Sequence, residues 1–466
     1  MKTKILIISL ILSSLSLKAQ DVTGEWNGIL KVGGMQLRLV FHVNKTDKGY
    51  SATMDSPDQG QKNIPMSKAT FENKIITIEM AAARINYSGL LIGNDSVNGT
   101  FSQAGQNFPM NLTRKAIQKQ EVKRPQEPRK PYPYYSEDLT FENKKAGITL
   151  AGTLTLPKKE GKFPVVVLIT GSGPQNRDEE LLGHKPFLVI ADYLTRNGIG
   201  VLRFDDRGCF ASKGNFKTAT TFDFATDVDA AVEYLKTRKE VDLKHIGLIG
   251  HSEGGIIAPI VAAGNNSVNF IVLMAGTGVS GGDIMLKQQE DIGITTGMSK
   301  EDIQLTKEIN SEVFKIMALA SDTAKLRSDL TLYIKSRIKD FPKKDIPKDM
   351  TEDELAKVQV DNLMNPWMLN FIRYNPAGML EKVKYPVLAL NGDKDLKVCS
   401  KINLPAIENA LKKGGNKLYT IKELTGLNHL FQESKTGSPT EYAEIEQTIS
   451  PLALETIANW IKTVCK

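Results

Sequence analysis

The sequence predicts a large α/β domain, a mainly parallel sheet flanked by helices, preceded by a small all-β domain. Three observations carry this. Six apolar runs, PVVVLIT, IGVLRF, IGLIG, FIVLMA, PVLALN and KLYTIKEL, read as buried strands between residues 164 and 424. Most are separated by segments of helical character, the rhythm of a parallel sheet. From Asp21 to about Arg114, by contrast, short alternating segments are punctuated by Gly, Asn and Asp, which predicts an antiparallel barrel or sandwich.

The chain has 466 residues, long enough for two or three domains. It is 41% hydrophobic and 24% charged, ordinary values for a protein with sizeable cores. The formal charge of +7 is modest, and Lys2, Lys4 and Lys18 contribute part of it from the first twenty residues, which carry no acid. That balance points to no nucleic acid partner.

Residues 1–20 join a basic start to an apolar run, Ile5 to Leu12, and to small or polar residues before Ala19 and Gln20. This predicts a secretory signal peptide cleaved near Ala19 or Gln20. The run is too short to span a bilayer and no cysteine lies near the cleavage site. The expectation is export to the periplasm or beyond, with no stable membrane anchor. Cys209, Cys399 and Cys465 are too sparse for a disulfide framework, and without CxxC or HxxxH spacing no metal is expected.

Residues 21–115 form the predicted β domain, with Trp26 as a core plug. Residues 116–134 hold Pro125, Pro128, Pro131 and Pro133 among alternating charges, which predicts a stiff, solvated linker with Lys123, Arg124, Arg129 and Lys130 as solubilising side chains. The catalytic domain covers 135–466. It opens on LTFENKKAGITLAGTLTLP, an antiparallel hairpin. In TFDFATDVDAAVEYLKTRK, Phe224, Val228, Ala231 and Leu235 fall at helical spacing. From about 280 to 382 amphipathic helices, among them KEDIQLTKEINSEVFKIMALA and TAKLRSDLTLYIKSRIKDF, interrupt the strands. An insertion there reads as a helical lid over the strand ends.

The stretch Ile246 to Gly255, IGLIGHSEGG, carries the chemistry: a buried strand, a glycine turn with Ser252 at its tip, and a helix. This is the nucleophile-elbow pattern. Gly250 and Gly254 permit the sharp turn, and the helix N-terminus faces negative charge forming at Ser252. The backbone N–H of Glu253, next in sequence, is one oxyanion donor. A serine hydroxyl needs a base. Of His42, His184, His245, His251 and His429, the first lies in the β domain and His251 points elsewhere on the turn, whereas His429 follows the last strand candidate. The orienting acid is Asp393 or Asp395, both in LNGDKDLKV, which spacing alone does not separate. The chain order is serine, acid, histidine.

GSGPQNRDE at 171–179, FDDRG at 204–208, LIGHSEGG at 248–255, MAGTGVSG at 274–281, PWMLNFIRYNP at 366–376 and LNGDKDLKV at 390–398 together resemble the α/β-hydrolase superfamily, and within it the EstD-like bacterial carboxylesterases. The resemblance implies Ser252 as nucleophile, His429 as base and Asp395 as acid, with Asp393 left to cap the turn. It also implies a second oxyanion donor at Ser172, with Gly173 as neighbour. Only backbone groups would donate, so replacing the Glu253 or Ser172 side chain would have little effect. The implied substrate is a small-molecule carboxylic ester of small to medium acyl chain, cleaved without cofactor through an acyl-enzyme.

One departure follows DDRG, which the family usually continues with a second glycine and a serine, whereas this chain continues Cys209, Phe210, Ala211, Ser212; a phenylalanine at 210 requires space and favours negative φ, so the loop beside the pocket need not keep the family's shape. Arg207 reads as a buried partner of an aspartate. Gly276, Gly278 and Gly281 form a lone GxGxxG, but no strand ending in an acid follows about twenty residues on, so a dinucleotide site is not expected. Two other readings compete with the esterase: a serine aminopeptidase of the same fold, and an exported glycan or lipid binder without activity.

Overall fold

The computed structural model describes residues 21–32, 35–59, 61–103, 106–118, 123–320, 322–340 and 351–466; the predicted signal peptide lies outside them. The chain divides near residue 120 into two compact units.

The first unit is a barrel. Its strands are β1 (Gly24–Val32), β2 (Met35–Thr46), β3 (Gly49–Ser56), β4 (Gln61–Pro65), β5 (Lys68–Glu72), β6 (Ile75–Met80), β7 (Ile85–Ile92), β8 (Ser96–Gln103), β9 (Gln106–Pro109) and β10 (Leu112–Thr113). They pair in the order β1-β2-β3-β5-β6-β7-β8, and β10 pairs with both β8 and β1, which closes the ring. Closure leaves no open edge on that ring, the hazard of an antiparallel sheet. Alternation puts Ile85, Tyr87 and Leu91 of β7 inside, where they join Trp26, Phe41 and Phe101. Trp26 is fully buried, with its indole N–H donating to Val22 O at 2.8 Å.

The second unit begins before its sheet, and the predicted solvated linker needs correcting. Arg124 donates to the carbonyls of Leu182, Gly183, Ala443 and Ile445, and Gln126 bonds Thr448 and Ile449. The prolines remove backbone donors there, but these two side chains supply polar contacts that the composition did not reveal.

The sheet consists of β11 (Tyr135–Asn143), β12 (Ile148–Leu156), β13 (Phe163–Ile169), β14 (Gly200–Phe204), β15 (Val241–His251), β16 (Phe270–Met274), β17 (Val387–Gly392) and β18 (Tyr419–Leu424). Their order is β11-β12-β14-β13-β15-β16-β17-β18, and only β12 runs against its neighbours. This is the α/β-hydrolase arrangement. The helices are α1 (Pro186–Arg196), α2 (Thr221–Lys236), α3 (Gly254–Gly264), α4 (Gly281–Thr295), α5 (Lys300–Leu319), α6 (Thr323–Arg337), α7 (Glu352–Leu363), α8 (Pro366–Arg373), α9 (Ala377–Leu380), α10 (Ser400–Lys413) and α11 (Pro451–Val464).

Both sheet faces are covered, so the strands are apolar throughout rather than alternating. Val165, Val167 and Ile169 of β13 pack with α2 and α3, whereas Val166 and Leu168 pack with α1 and α11. Between β16 and β17 stand α4 to α8, which share their own core around Phe314, Met317, Leu330 and Val360. Ser299, Asp322 and Thr351 each accept an N–H at the start of α5, α6 and α7, which satisfies donors the first turn leaves open.

Phe210 corrects the loop expectation. It adopts φ 48°, not a negative angle, and avoids the steric question by standing 72% exposed. Arg207 is buried and its Nε donates to Asp227 at 2.7 Å.

Candidate active site

The turn after β15 is as tight as backbone allows. A Cβ at Gly250 would meet Gly254 O at 1.9 Å, one at Gly254 would meet Ile169 O at 2.2 Å, and one at Gly255 would meet Gly276 Cα at 2.5 Å. Ser252 sits at its tip with φ 54°, a left-handed conformation unfavourable for serine by about 1–2 kcal/mol. Its N–H donates to Met274 O at 2.9 Å, which anchors the turn to the neighbouring strand. Helix α3 starts two residues on, so its free N–H groups underlie the hydroxyl.

Beyond β17 the two aspartates separate. Asp393 accepts the Gly426 N–H at 2.7 Å, a turn-capping role. Asp395 is buried; its Oδ1 accepts from the N–H groups of Lys397 and Val398, each at 2.8 Å, and its Oδ2 faces His429 Nδ1 at 2.8 Å. The loop that bears His429 is shaped by Asn428, whose Oδ1 accepts from Leu430 and Gln432. Burial holds the His429 pKa below its ordinary value despite Asp395, and the charges of His251 and Lys397 push the same way.

Ser252 and His429 line one cavity of about 250 Å³, together with Gly171, Ser172 and Glu253. Ile284, Met285, Trp367, Met368 and Phe371 of the helical insertion close it from the other side. Gly171 N–H is donated to Glu179 at 2.7 Å, and Ser172, the next residue of the loop, lines this cavity. Gly173 lines a smaller cavity of about 20 Å³ instead, the room of a single water.

Two residues that sequence reasoning set aside belong here. The Glu253 side chain is not idle: its buried Oε1 accepts from Thr221 Oγ1 at 2.7 Å and from the Trp367 indole N–H at 2.8 Å. Burial pushes its pKa up against those bonds. His251 does not turn away from the site either. Its ring lies 4.8 Å from that of His429, its Nε2 faces His429 O at 2.9 Å, and its Nδ1 faces Glu179 at 2.9 Å. Glu179 closes the GSGPQNRDE motif, but nothing in that string shows that its carboxyl turns inward. His42 and His245 pair with Asp55 and Asp242 away from the cavity lining, and His184 is buried against Tyr442 O and Thr448.

The glycines of the GxGxxG string serve packing: Gly276 lies against Gly255, and a Cβ at Gly281 would meet Phe371 O at 1.9 Å.

The family model described as serine aminopeptidase, S33, matches residues 186–314. Esterase EstD of Thermotoga maritima is 27% identical over 336 residues, covering 71% of this chain and 69% of that protein. Among solved structures, Est1E from Butyrivibrio proteoclasticus with ferulic acid bound is 18% identical, with a TM-score of 0.40 over 70% of this chain and 97% of its own. An esterase of Pyrococcus furiosus is 14% identical, with a TM-score of 0.42 over 75% of this chain and all of its own.

Asp206 secures the other end of the loop that carries Ser172, accepting from Thr170 Oγ1 at 2.7 Å and Gln175 N–H at 2.9 Å. Burial, with Glu179 and Glu253 nearby, pushes its pKa up to about 7. A folded pKa above the unfolded one contributes stability at low pH that is lost as pH rises through the folded value. Against Asp206→Asn, the wild type should therefore lose about 2–3 kcal/mol between pH 5 and 8.5. Denaturant melts of both proteins across that range measure it; a gap that does not move with pH removes the account.

Proposed function

We propose that this esterase-like α/β hydrolase cleaves carboxylic esters of small to medium acyl chain through an acyl-enzyme on Ser252. The observation that carries the reading is the shared cavity of Ser252 and His429, with the His429 ring held from behind by Asp395. His429 takes the serine proton as Oγ attacks the ester carbonyl, and Asp395 stabilises the imidazolium that results. The oxyanion forms against the N–H groups of Glu253 and Ser172, each worth about 3 kcal/mol of barrier. Collapse breaks the C–O bond, and the alcohol leaves with the proton from His429. Water then enters and the same steps release the acid.

Three features support the details. Burial keeps His429 neutral near pH 7, as a base must be. The cavity's size and the apolar side chains of α4 and α8 suit a short acyl chain, and we assign the insertion the role of a lid. The first twenty residues support export. Aminopeptidase activity is a second reading, favoured by the match to the serine aminopeptidase model and by the Glu253 carboxyl at the cavity wall. Against it, that carboxyl is driven toward its neutral form and already accepts two hydrogen bonds, which leaves it a poor counter-ion for an amine.

With p-nitrophenyl acetate and butyrate beside aminoacyl p-nitroanilides, ester turnover should dominate, and Ser252→Ala should reduce it on the order of 10⁴-fold or more. Asp395→Asn should cost about 10³–10⁴-fold in kcat, while Asp393→Asn should leave kcat near the wild-type value. Anilide turnover in excess of ester turnover selects the second reading, and neither activity leaves the binder. Trp367→Ala enlarges the cavity wall and should raise kcat/KM for octanoate relative to butyrate about tenfold; an unchanged chain-length profile rules out the lid.

A further inference from the structure

Glu179 is held in a conformation that its side chain does not favour. Its backbone has φ 50°, a left-handed angle costly for a residue with a Cβ, inside a turn organised by Asn176, whose Oδ1 accepts from the N–H groups of Asp178 and Glu180. This turn drives the carboxyl into the protein, where it is 5% exposed. Such strain persists only where its surroundings impose it, and it clusters at functional sites.

The carboxyl joins segments that are distant in sequence. Its Oε1 accepts the Gly171 N–H at 2.7 Å at the end of β13 and also faces His251 Nδ1 at 2.9 Å at the end of β15. The opposite nitrogen of His251 faces His429 O at 2.9 Å on the loop after β18. One chain of hydrogen bonds thus runs from the loop offering the Ser172 N–H, behind the serine turn, to the backbone of the base.

We propose that Glu179 and His251 are positioning residues for the hydrolytic reaction: the pair sets the Ser172 N–H and the His429 ring relative to Ser252, and carries an imidazolium beside the base. The proposal rests on the function assigned above. Both nitrogens of His251 face acceptors, so the ring carries two protons when Glu179 is ionised. Burial opposes that charge, but Glu179 overrides it and holds the His251 pKa above its ordinary value. The charged groups around His429 are then Asp395, which favours its protonation, and His251 and Lys397, which oppose it. Glu179→Gln leaves His251 neutral and removes the nearest of the opposing charges. It also leaves one amide group where one carboxylate oxygen had served two N–H groups.

In Glu179→Gln, kcat for p-nitrophenyl butyrate should fall about 10–100-fold with KM little changed, and the acid limb of kcat/KM should move to higher pH by about half a unit. A purely structural role would lower the melting temperature without moving that limb, and an unmoved limb in a folded variant overturns the proposal. His251→Asn provides a second variant in case Glu179→Gln does not fold, and should move the limb in the same direction. A test on the unaltered protein needs neither variant: ¹⁵N-histidine NMR, with His251 identified by its loss in His251→Asn, should show its ring titrating above an ordinary imidazole. A His251 ring that titrates at or below the ordinary imidazole value also overturns the proposal. Because the NMR reading needs no turnover, it stands apart from the ester assays: if Ser252→Ala kept wild-type turnover, the assigned function would fail while the state of His251 was still measured.

Discussion

The turn at Ser252 leaves no room for a Cβ at three positions, and the remainder of the site is arranged around that restriction. Ile169 O of β13 lies on one side of it and Gly276, just past β16, on the other, so the serine is set only when three adjacent strands are in register. Other site residues leave the carboxyl ends of the same sheet: Ser172 after β13, Asp206 after β14, Asp395 after β17 and His429 after β18. Ligands of open α/β sheets bind at that edge because the loops there converge while the helices have turned away. A chain that satisfies the packing of the elbow has therefore already brought these loops within reach of one another.

Around the turn the protein buries several carboxyl groups, and their neighbours differ. Asp205 is bonded through both oxygens to Arg177, Asp227 is bonded to Arg207, and Asp395 faces His429. Each has a cationic or protonatable partner to offset desolvation. Asp206 and Glu253 have only neutral donors, and burial raises their pKa values, as it does that of Asp227 against Arg207. Several of these groups fasten irregular backbone: Asp206 and Glu179 hold the Ser172 loop from opposite ends, and Asp395 ties down its own turn through two N–H groups. Buried acceptors give these loops the fixed geometry that a strand would have had from its ladder.

Much of this was readable in advance, for identifiable reasons. The six apolar runs are strands because a sheet covered on both faces leaves a continuous hydrophobic signature, and Ser252 announces itself through glycines that no other residue can replace. His429 could be proposed from its place after the last strand candidate, whereas His251, set aside as pointing elsewhere, lines the same cavity. The choice between Asp393 and Asp395 could not be made from spacing, since both occupy one turn and differ only in which way the side chain faces. Arg124, Glu179 and His251 escaped for a related reason: the bonds that tie them across the fold reach partners 58 to 321 residues away, and long-range hydrogen bonds leave no periodic trace. The Phe210 loop ran against residue preference because exposure removed the steric objection, leaving only a backbone cost that the bond from Ala211 N–H to Asp205 helps to offset.

Glu253 shows why side chains at the elbow cannot be judged from the GxSxG pattern. In that pattern the residue after the serine matters through its N–H, and its side chain reads as free to vary. Here the carboxyl meets the Thr221 hydroxyl at the start of α2 and the indole of Trp367 on α8, while Trp367 stacks on Phe371 at 5.1 Å. The same residue thus contributes an N–H at the catalytic edge and an acceptor to the helical insertion. Displacing α8 strips a donor from a buried carboxyl that has no cation to replace it, which is costly in a low-dielectric setting. The position of the insertion and the geometry of the elbow are therefore coupled through one side chain.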